Sequence, residues 1–361
     1  MQVNEMGQHK YALIATRIRE EIQTGEYHPG DRLPTEFDLT KRFQVSRQTV
    51  RQAMAQLQKE GYLIQRQGSG TYVTEFGREK KNTRRTMTIG VLSSYISNYI
   101  FPSIIRGIEQ ELSVSGYSMR LAATENRVDN EYTLLQRYLD NPVDGLIVEG
   151  TKTTLPNPNI ALYRELSRQG TPLVFLHASY PELKNEVLVG MDDFEGGRLA
   201  VEYLAGKGHV RIAGIFKSDD RQGLERYAGF NEGLHQAGLP INDRWVRWFT
   251  TEDRDQSEYF KSGAWVSEFL GDATAVVCYN DMTAVWLGRL LEAQGRRVPE
   301  DILLVSFDQS SYYEMSGLRL VSFAHQKEEL GRVAAKKMLR LIHGEAQESV
   351  RLAWGRPKFL P

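Results

Sequence analysis

The sequence predicts an α/β protein in two parts, a small helical front end closed by a β-hairpin and a large, two-lobed region of doubly wound parallel sheet. Three observations predict it. Helical periodicity with capping residues runs up to Gly61, a glycine-bearing turn between short apolar runs follows, and from Met87 onward strand-like apolar runs alternate with helical patterns. Alternation of this kind means helices packed on a parallel sheet. At about 150 residues per domain, the 361 residues should form two or three domains. Each is large enough to bury a core without disulfides or metals. A composition of 41% hydrophobic and 25% charged residues excludes disordered and fibrous classes.

The first helix is expected over Tyr11–Thr24, with Tyr11, Ile14, Ala15, Ile18 and Ile22 on one face and Gly25 ending it. A turn-rich connector, His28–Pro34, precedes Thr35, an N-cap with Asp38 placed for a capping box, so a short helix Glu36–Phe43 follows. Ser46 is a second N-cap. Behind it Val50, Ala53, Met54 and Leu57 recur at i, i+3, i+4, i+7 until Gly61. The other face of that helix presents Arg47, Gln48 and Arg51 from its first turn and a half, where a recognition helix meets base edges. Arg donates bidentately to guanine O6/N7 and Gln to adenine N6/N7. Tyr62–Arg66 and Thr71–Val73 flank Gln67-Gly68-Ser69-Gly70, a hairpin whose glycines permit a tight turn and close approach to a groove. The three elements read together as a winged helix-turn-helix.

The run PGDRLPTEFDLTKRFQVSRQTVRQAMAQLQKEGYLIQRQGSGTYV resembles the GntR family of bacterial winged-helix regulators. The resemblance covers residues 1–75. It implies double-stranded operator DNA as partner, with contacts from Glu36, Ser46, Arg47, Gln48, Thr49 and Arg51 and, in the wing, from Gln67, Gly68 and Ser69. Some relatives carry an Arg just after the Glu of the second helix; here that residue is Phe37.

Charge agrees with a polyanion partner at one end. Residues 1–75 carry ten Lys/Arg against nine Asp/Glu, residues 76–87 five against one, and residues 88–361 thirty against 36. Residues 76–86 are a polar, basic linker whose cations either touch phosphate or are simply solvated. The one cysteine, Cys278, excludes an internal disulfide and a CxxC redox or zinc pattern. The longest uncharged run, Thr86–Ile105, is rich in Ser, Thr and Asn and holds Gly90 and Pro102, so it is no membrane helix. The N-terminal MQVNEMGQHK has no apolar core for a signal peptide, and a cytoplasmic protein is expected.

In the large region, strands are expected at Met87–Leu92, Ser118–Ala123, Gly145–Glu149, Pro172–Leu176, Arg211–Phe216, Trp245–Phe249, Ala275–Tyr279 and Ile302–Phe307. Helices fall between them at Pro102–Ser115, Asn159–Gln169, Phe194–Lys207, Leu224–Ala237 and Met282–Gln294. In such sheets ligands bind beyond the carboxyl ends of strands. Polar groups gather there: Tyr95 after the first strand, Glu149 ending the third, His177 after the fourth, Asp192 after Val187–Gly190, Lys217, then Asn280 and Asp281, and Asp308. Arg226 opens the helix after Lys217, and Tyr99 joins Tyr95 as a stacking surface. Carboxylates, amides and cations together suit a neutral polyhydroxylated ligand, because each hydroxyl both donates and accepts. A sugar fits. Taken singly, each residue has a plainer reading as a helix cap or a hydrogen-bonded core group.

The runs VPEDILLVSFD, CYND and GGRLAVEYLAGKGHVRIAGI followed by ERYAGF resemble the LacI/GalR effector domain, itself similar to periplasmic sugar-binding proteins. The resemblance spans residues 87–361 and implies a sugar-sensing and dimerising, periplasmic-binding-protein-like domain. A GntR head on such a sensor, with SYISNYIFPSIIRGIE, DGLIVEGTK and FKSDDRQG, resembles the family of L-arabinose-responsive repressors. That resemblance implies a homodimeric repressor of sugar utilisation, released from its operator by L-arabinose, with Tyr95, Glu149, His177, Asp192, Lys217, Arg226, Asn280, Asp281 and Asp308 as effector contacts. Ser306 and Gln309 depart from the usual pattern around the last strand. The sign of the response, induction rather than co-repression, comes from the resemblance alone.

An enzyme is the competing class. Phosphate-loop and GxSxG patterns are absent, and the seven His show no metal-ligand spacing, so no catalytic residue, metal or cofactor is expected. A transport-type binding protein is opposed by the basic winged helix.

Overall fold

The computed structural model describes residues 5–23, 26–28, 30–66, 69–74, 85–96, 99–183 and 186–359. The expected wing residues Gln67 and Gly68, and linker residues 76–84, lie outside the described residues. Contacts divide the chain into two compact units, one from the N-terminus to Arg84 and one built from Arg85–Ser167 and Thr171–Pro361.

The first unit holds α1 (Glu5–Gln23), α2 (Glu36–Phe43), α3 (Arg47–Lys59) and an antiparallel hairpin of β1 (Leu63–Arg66) and β2 (Gly70–Val73). Thr35 caps α2 in a capping box with Asp38, and the Ser46 side chain accepts from the Thr49 N–H at the start of α3. Such caps satisfy N–H groups that have no partner within the helix. Gln44 takes a left-handed conformation (φ 52°) to turn the chain between the two helices. The apolar face expected of α1 is buried at Ile14, Ala15, Ile18 and Ile22, against Leu39 of α2, Val50 and Leu57 of α3, and Tyr62 and Val73 of the hairpin. Burial of each such Ile or Leu contributes about 1.5–3 kcal/mol.

The second unit begins β3 (Thr88–Ser93), α4 (Phe101–Val114), β4 (Ser118–Ala123), α5 (Val128–Asp140), β5 (Gly145–Glu149), α6 (Ile160–Arg168), β6 (Leu173–Leu176) and β7 (Val187–Met191). It continues α7 (Asp193–Ala205), β8 (Ile212–Lys217), α8 (Arg221–Gln236), β9 (Val246–Phe249), α9 (Thr251–Gln256), α10 (Glu258–Ser262), α11 (Val266–Leu270) and β10 (Ala275–Cys278). It closes with α12 (Asp281–Ala293), β11 (Leu303–Asp308), α13 (Ser311–Glu314), β12 (Val321–Ala324), α14 (Lys327–Ile342), β13 (Val350–Leu352) and β14 (Pro357–Phe359).

These strands form two six-stranded sheets, ordered β13-β7-β6-β5-β3-β4 in one lobe and β14-β12-β11-β10-β8-β9 in the other. Every pair is parallel except β12–β14. Central strands such as β5 and β8 are buried on both faces, which is why they read as unbroken apolar runs. The chain passes between lobes three times, from β7 to α7, from β12 to α14 and from β13 to β14. The sequence reading named none of these passages and did not include β12, β13 or β14, which are only three or four residues long and carry no periodicity of their own.

Helix α8 is seated against α7 by the absence of side chains. A Cβ at Gly197 would lie 2.0 Å from the Arg226 carbonyl oxygen, and one at Gly229 would lie 1.8 Å from that of Phe194. This close approach brings the Arg226 side chain to the passage between β7 and α7.

Candidate functional site: the interlobe cleft and the recognition helix

Between the lobes lies a cavity of ≈ 280 Å³. The lobe built on β3–β7 supplies Ser94, Tyr95 and Tyr99 from the loop after β3, Asn126 after β4, and Glu149 at the end of β5. The other lobe supplies Lys217 at the end of β8, Asp220 after it, Arg226 on α8, Asn280 after β10 and Asp308 at the end of β11. Of the ten candidates read from the sequence, Tyr95, Tyr99, Glu149, Lys217, Arg226, Asn280 and Asp308 therefore line one cavity.

Each of these groups is fixed by the protein. Glu149 Oε2 accepts from the Ser94 N–H at 2.7 Å, and its Oε1 lies 3.2 Å from His177 Nδ1. Lys217 Nζ pairs with Asp219 at 2.9 Å and Asp220 at 2.6 Å. Burial lowers the Lys217 pKa, and the two carboxylates outweigh it, leaving the ammonium ion favoured. Arg226 Nε donates to Asp193 Oδ1 at 2.8 Å, and its guanidinium lies 4.6 Å from the Phe307 ring centre and 5.0 Å from that of Trp354. Tyr99 donates across the cleft to Asp308 Oδ2, and burial together with the Asp308 charge pushes its phenol pKa far up. Asp308 Oδ1 is buried with no hydrogen-bond partner among the described residues, as are His177 Nε2 and Asp193 Oδ2. A buried acceptor at a cavity wall favours a ligand that donates, as a hydroxyl does.

Three candidates sit elsewhere. Asp192 caps α7, accepting from the Glu195 N–H at 3.0 Å, while its neighbour Asp193, which the sequence reading passed over, holds Arg226. The rule that strand ends carry the site cannot say which of two adjacent aspartates faces inward. His177 lies behind Glu149 and orients it. Asp281 ties α12 to β11 and β12, accepting from Ser306 Oγ and Ser322 Oγ at 2.6 Å and from the Ser310 N–H at 2.7 Å. Burial and the nearby Asp308 charge push its pKa up to about 6. Conversely, Asn126 lines the cavity and was legible by the strand-end rule, following β4. Arg254, on α9, had no such signal; its Nη2 donates to Tyr95 Oη at 3.2 Å across the cleft.

On the first unit, Glu36 gathers two arginines of α3. Arg47 Nε donates to its Oε2 at 3.0 Å, and Arg51 Nε lies 3.1 Å from both oxygens. Partial burial raises the Glu36 pKa, and the two guanidinium hydrogen bonds more than reverse that, leaving it lowered. Arg47, Gln48 and Arg51 are exposed on α3, whereas Ser46 and Thr49 spend their hydroxyls on each other at 2.8 Å and on the cap. Ser69 Oγ lies 2.6 Å from Tyr72 Oη in the wing.

Fold and site thus define a transcription regulator, a winged-helix reader joined to a two-lobed ligand sensor. Residues 10–73 match the bacterial regulatory proteins of the gntR family, and residues 201–356 match the periplasmic binding protein-like domain. The chain belongs to the family of arabinose metabolism transcriptional repressors. It is 36% identical to the member from Geobacillus stearothermophilus, over 97% of this chain and 96% of that one. It is also 36% identical to the member from Halalkalibacterium halodurans, over 94% of this chain and 91% of that one. Its fold matches the solved transcriptional regulator CelR–cellobiose complex with a TM-score of 0.65 and 25% identity, covering 91% of this chain and all of the other. The protein is accordingly a DNA-binding repressor of sugar utilisation and not an enzyme. Among the described residues no helix is long and apolar enough to cross a membrane.

Proposed function

We propose that the chain is a cytoplasmic homodimeric repressor whose effector is L-arabinose. In this reading residues 1–75 bind one half of a near-palindromic operator, residues 76–86 are a tether, and residues 87–361 sense the sugar and carry the dimer contact. Glu36, Ser46, Arg47, Gln48, Thr49, Arg51, Gln67, Gly68 and Ser69 serve the DNA. A two-fold dimer sets two recognition helices at the spacing of two half-sites. L-Arabinose bound between the lobes favours a geometry that no longer fits that spacing, which requires tighter sugar binding to the DNA-incompetent state.

The observation that carries the reading is the composition of the cleft. Tyr95 and Tyr99 offer ring faces to sugar C–H groups, while Glu149, Lys217, Arg226, Asn280 and Asp308 offer donors and acceptors to hydroxyls from both lobes. A ligand held from both sides is one that closes the cleft. Calorimetric titration of the purified protein with L-arabinose, beside D-galactose, D-xylose and D-ribose, tests it. Selective, saturable binding of L-arabinose is expected, with loss of operator affinity over the same concentration range. Binding of another sugar in its place discards the arabinose assignment.

A further inference from the structure

The lips of the cleft are joined by side chains most of which lie outside the cavity wall described above. Residues 151–154, after β5, reach across from one lobe. Lys152 Nζ bonds the Glu252 carboxylate, Thr154 Oγ1 donates to the Ser218 carbonyl at 2.7 Å, and Thr153 Oγ1 accepts from the Arg221 N–H at 2.9 Å. Asn126 completes the seam. Its Oδ1 accepts from the Lys152 N–H at 3.0 Å, and its Nδ2 donates to Thr251 Oγ1 at 2.8 Å. Thr251 Oγ1 in turn donates to Asp219 Oδ2 at 2.7 Å, and Asp219 pairs with Lys217 in the cavity wall.

The loop that makes these contacts is held by one buried carboxylate. Glu131 on α5 is 0% exposed and accepts from Tyr163 Oη and Tyr180 Oη at 2.7 Å and from Asn157 Nδ2 and Asn159 Nδ2 at 2.8 Å. A buried carboxylate with that many donors fixes the segment that carries them. A polar chain therefore runs from Glu131 through the 151–154 loop, Asn126, Thr251 and Asp219 to Lys217.

We propose that Lys152, Thr153 and Thr154 with Asn126 on one lobe, and Ser218, Arg221, Thr251 and Glu252 on the other, form a latch that holds the cleft closed over the sugar and positions Lys217 for it. Lys152 and Glu252 are positioning residues, since neither lines the cavity. The inference rests on the reading that the cleft binds a sugar.

Reversal of the exposed pair tests it in the full-length protein. Lys152→Glu and Glu252→Lys each raise the sugar Kd about five-fold, the scale of an ion pair at a protein surface, and the double variant Lys152→Glu/Glu252→Lys restores it. A purely structural role would not be rescued by the exchange. Thr251→Val, which breaks the chain to Asp219, also weakens sugar binding. Operator affinity without sugar does not fall in any of them, since opening the cleft moves away from the DNA-incompetent geometry. In parallel, spin labels at Leu155→Cys and Leu224→Cys, 50% and 40% exposed in the parent, report the lip separation, Cys278 being buried. Lys152→Glu lengthens it without sugar, and the double variant restores it. Unchanged separation and Kd in the single variants, failure of the double to restore either, or a longer separation with unchanged Kd overturns the latch. If the parent binds none of the four sugars, the effector reading fails and the positioning of Lys217 for a sugar falls with it.

Discussion

Arg226 Nε lies 2.8 Å from Asp193 Oδ1, and this pair, with both side chains almost wholly buried, joins α8 to the first residue of α7 immediately after the chain passes from one lobe to the other. Burial raises the Asp193 pKa, and the Arg226 charge offsets it only in part.

Arg226→Ala leaves Asp193 buried and unpaired, and is expected to cost about 3–5 kcal/mol of stability. Asp193→Ala/Arg226→Ala together cost less than the arginine change alone. Urea unfolding of the three variants checks this, and equal losses in Arg226→Ala and the double variant contradict it. Sugar binding is lost in Arg226→Ala while the folded first unit still binds operator.

Arg47→Ala and Arg51→Ala are each expected to weaken operator binding by about 1–3 kcal/mol, the worth of a bidentate base contact, with the sugar titration unaltered. Electrophoretic shift of labelled operator beside calorimetry separates the two activities. Parallel loss of both would mean a folding defect.

Leu57, wholly buried in the first unit, reports on how independent that unit is. Leu57→Ala should cost about 2–5 kcal/mol there. It abolishes operator binding at moderate temperature and leaves sugar affinity intact. A common drop in both by calorimetry and gel shift would show the units to unfold together.

Asp281 makes stability depend on pH. Its folded pKa of about 6 stands above its ordinary value of 3.8, so the folded state binds the proton more tightly than the unfolded chain. Its contribution is full below pH 3.8 and is lost as pH rises through about 6. By linkage the loss is about 3 kcal/mol. The stability of the parent relative to Asp281→Asn should therefore fall between pH 4.5 and pH 7 in urea unfolding, and a difference that stays level refutes the assignment.

Much of this was legible in the sequence. Thr35 with Asp38, and Ser46 before an i, i+3, i+4, i+7 apolar face, determined where α2 and α3 begin and which sides they bury, because caps and amphipathic faces are satisfied within one helical turn. The alternation of apolar runs and helices determined the two-lobed sheet, and the ends of its strands yielded Tyr95, Glu149, Lys217, Asn280 and Asp308. Only the tertiary structure decided the rest. Whether Asp192 or Asp193 faces Arg226 depends on how α7 enters its lobe, and His177 orients Glu149 only because β5 and β6 lie side by side. Asn126 meets Thr251 across 125 positions of chain, a pairing fixed by three passages between lobes. Local periodicity records the hydrogen bonds a segment makes with itself. The partners of a polar side chain at a strand end are set by packing between distant segments, and that information is not local.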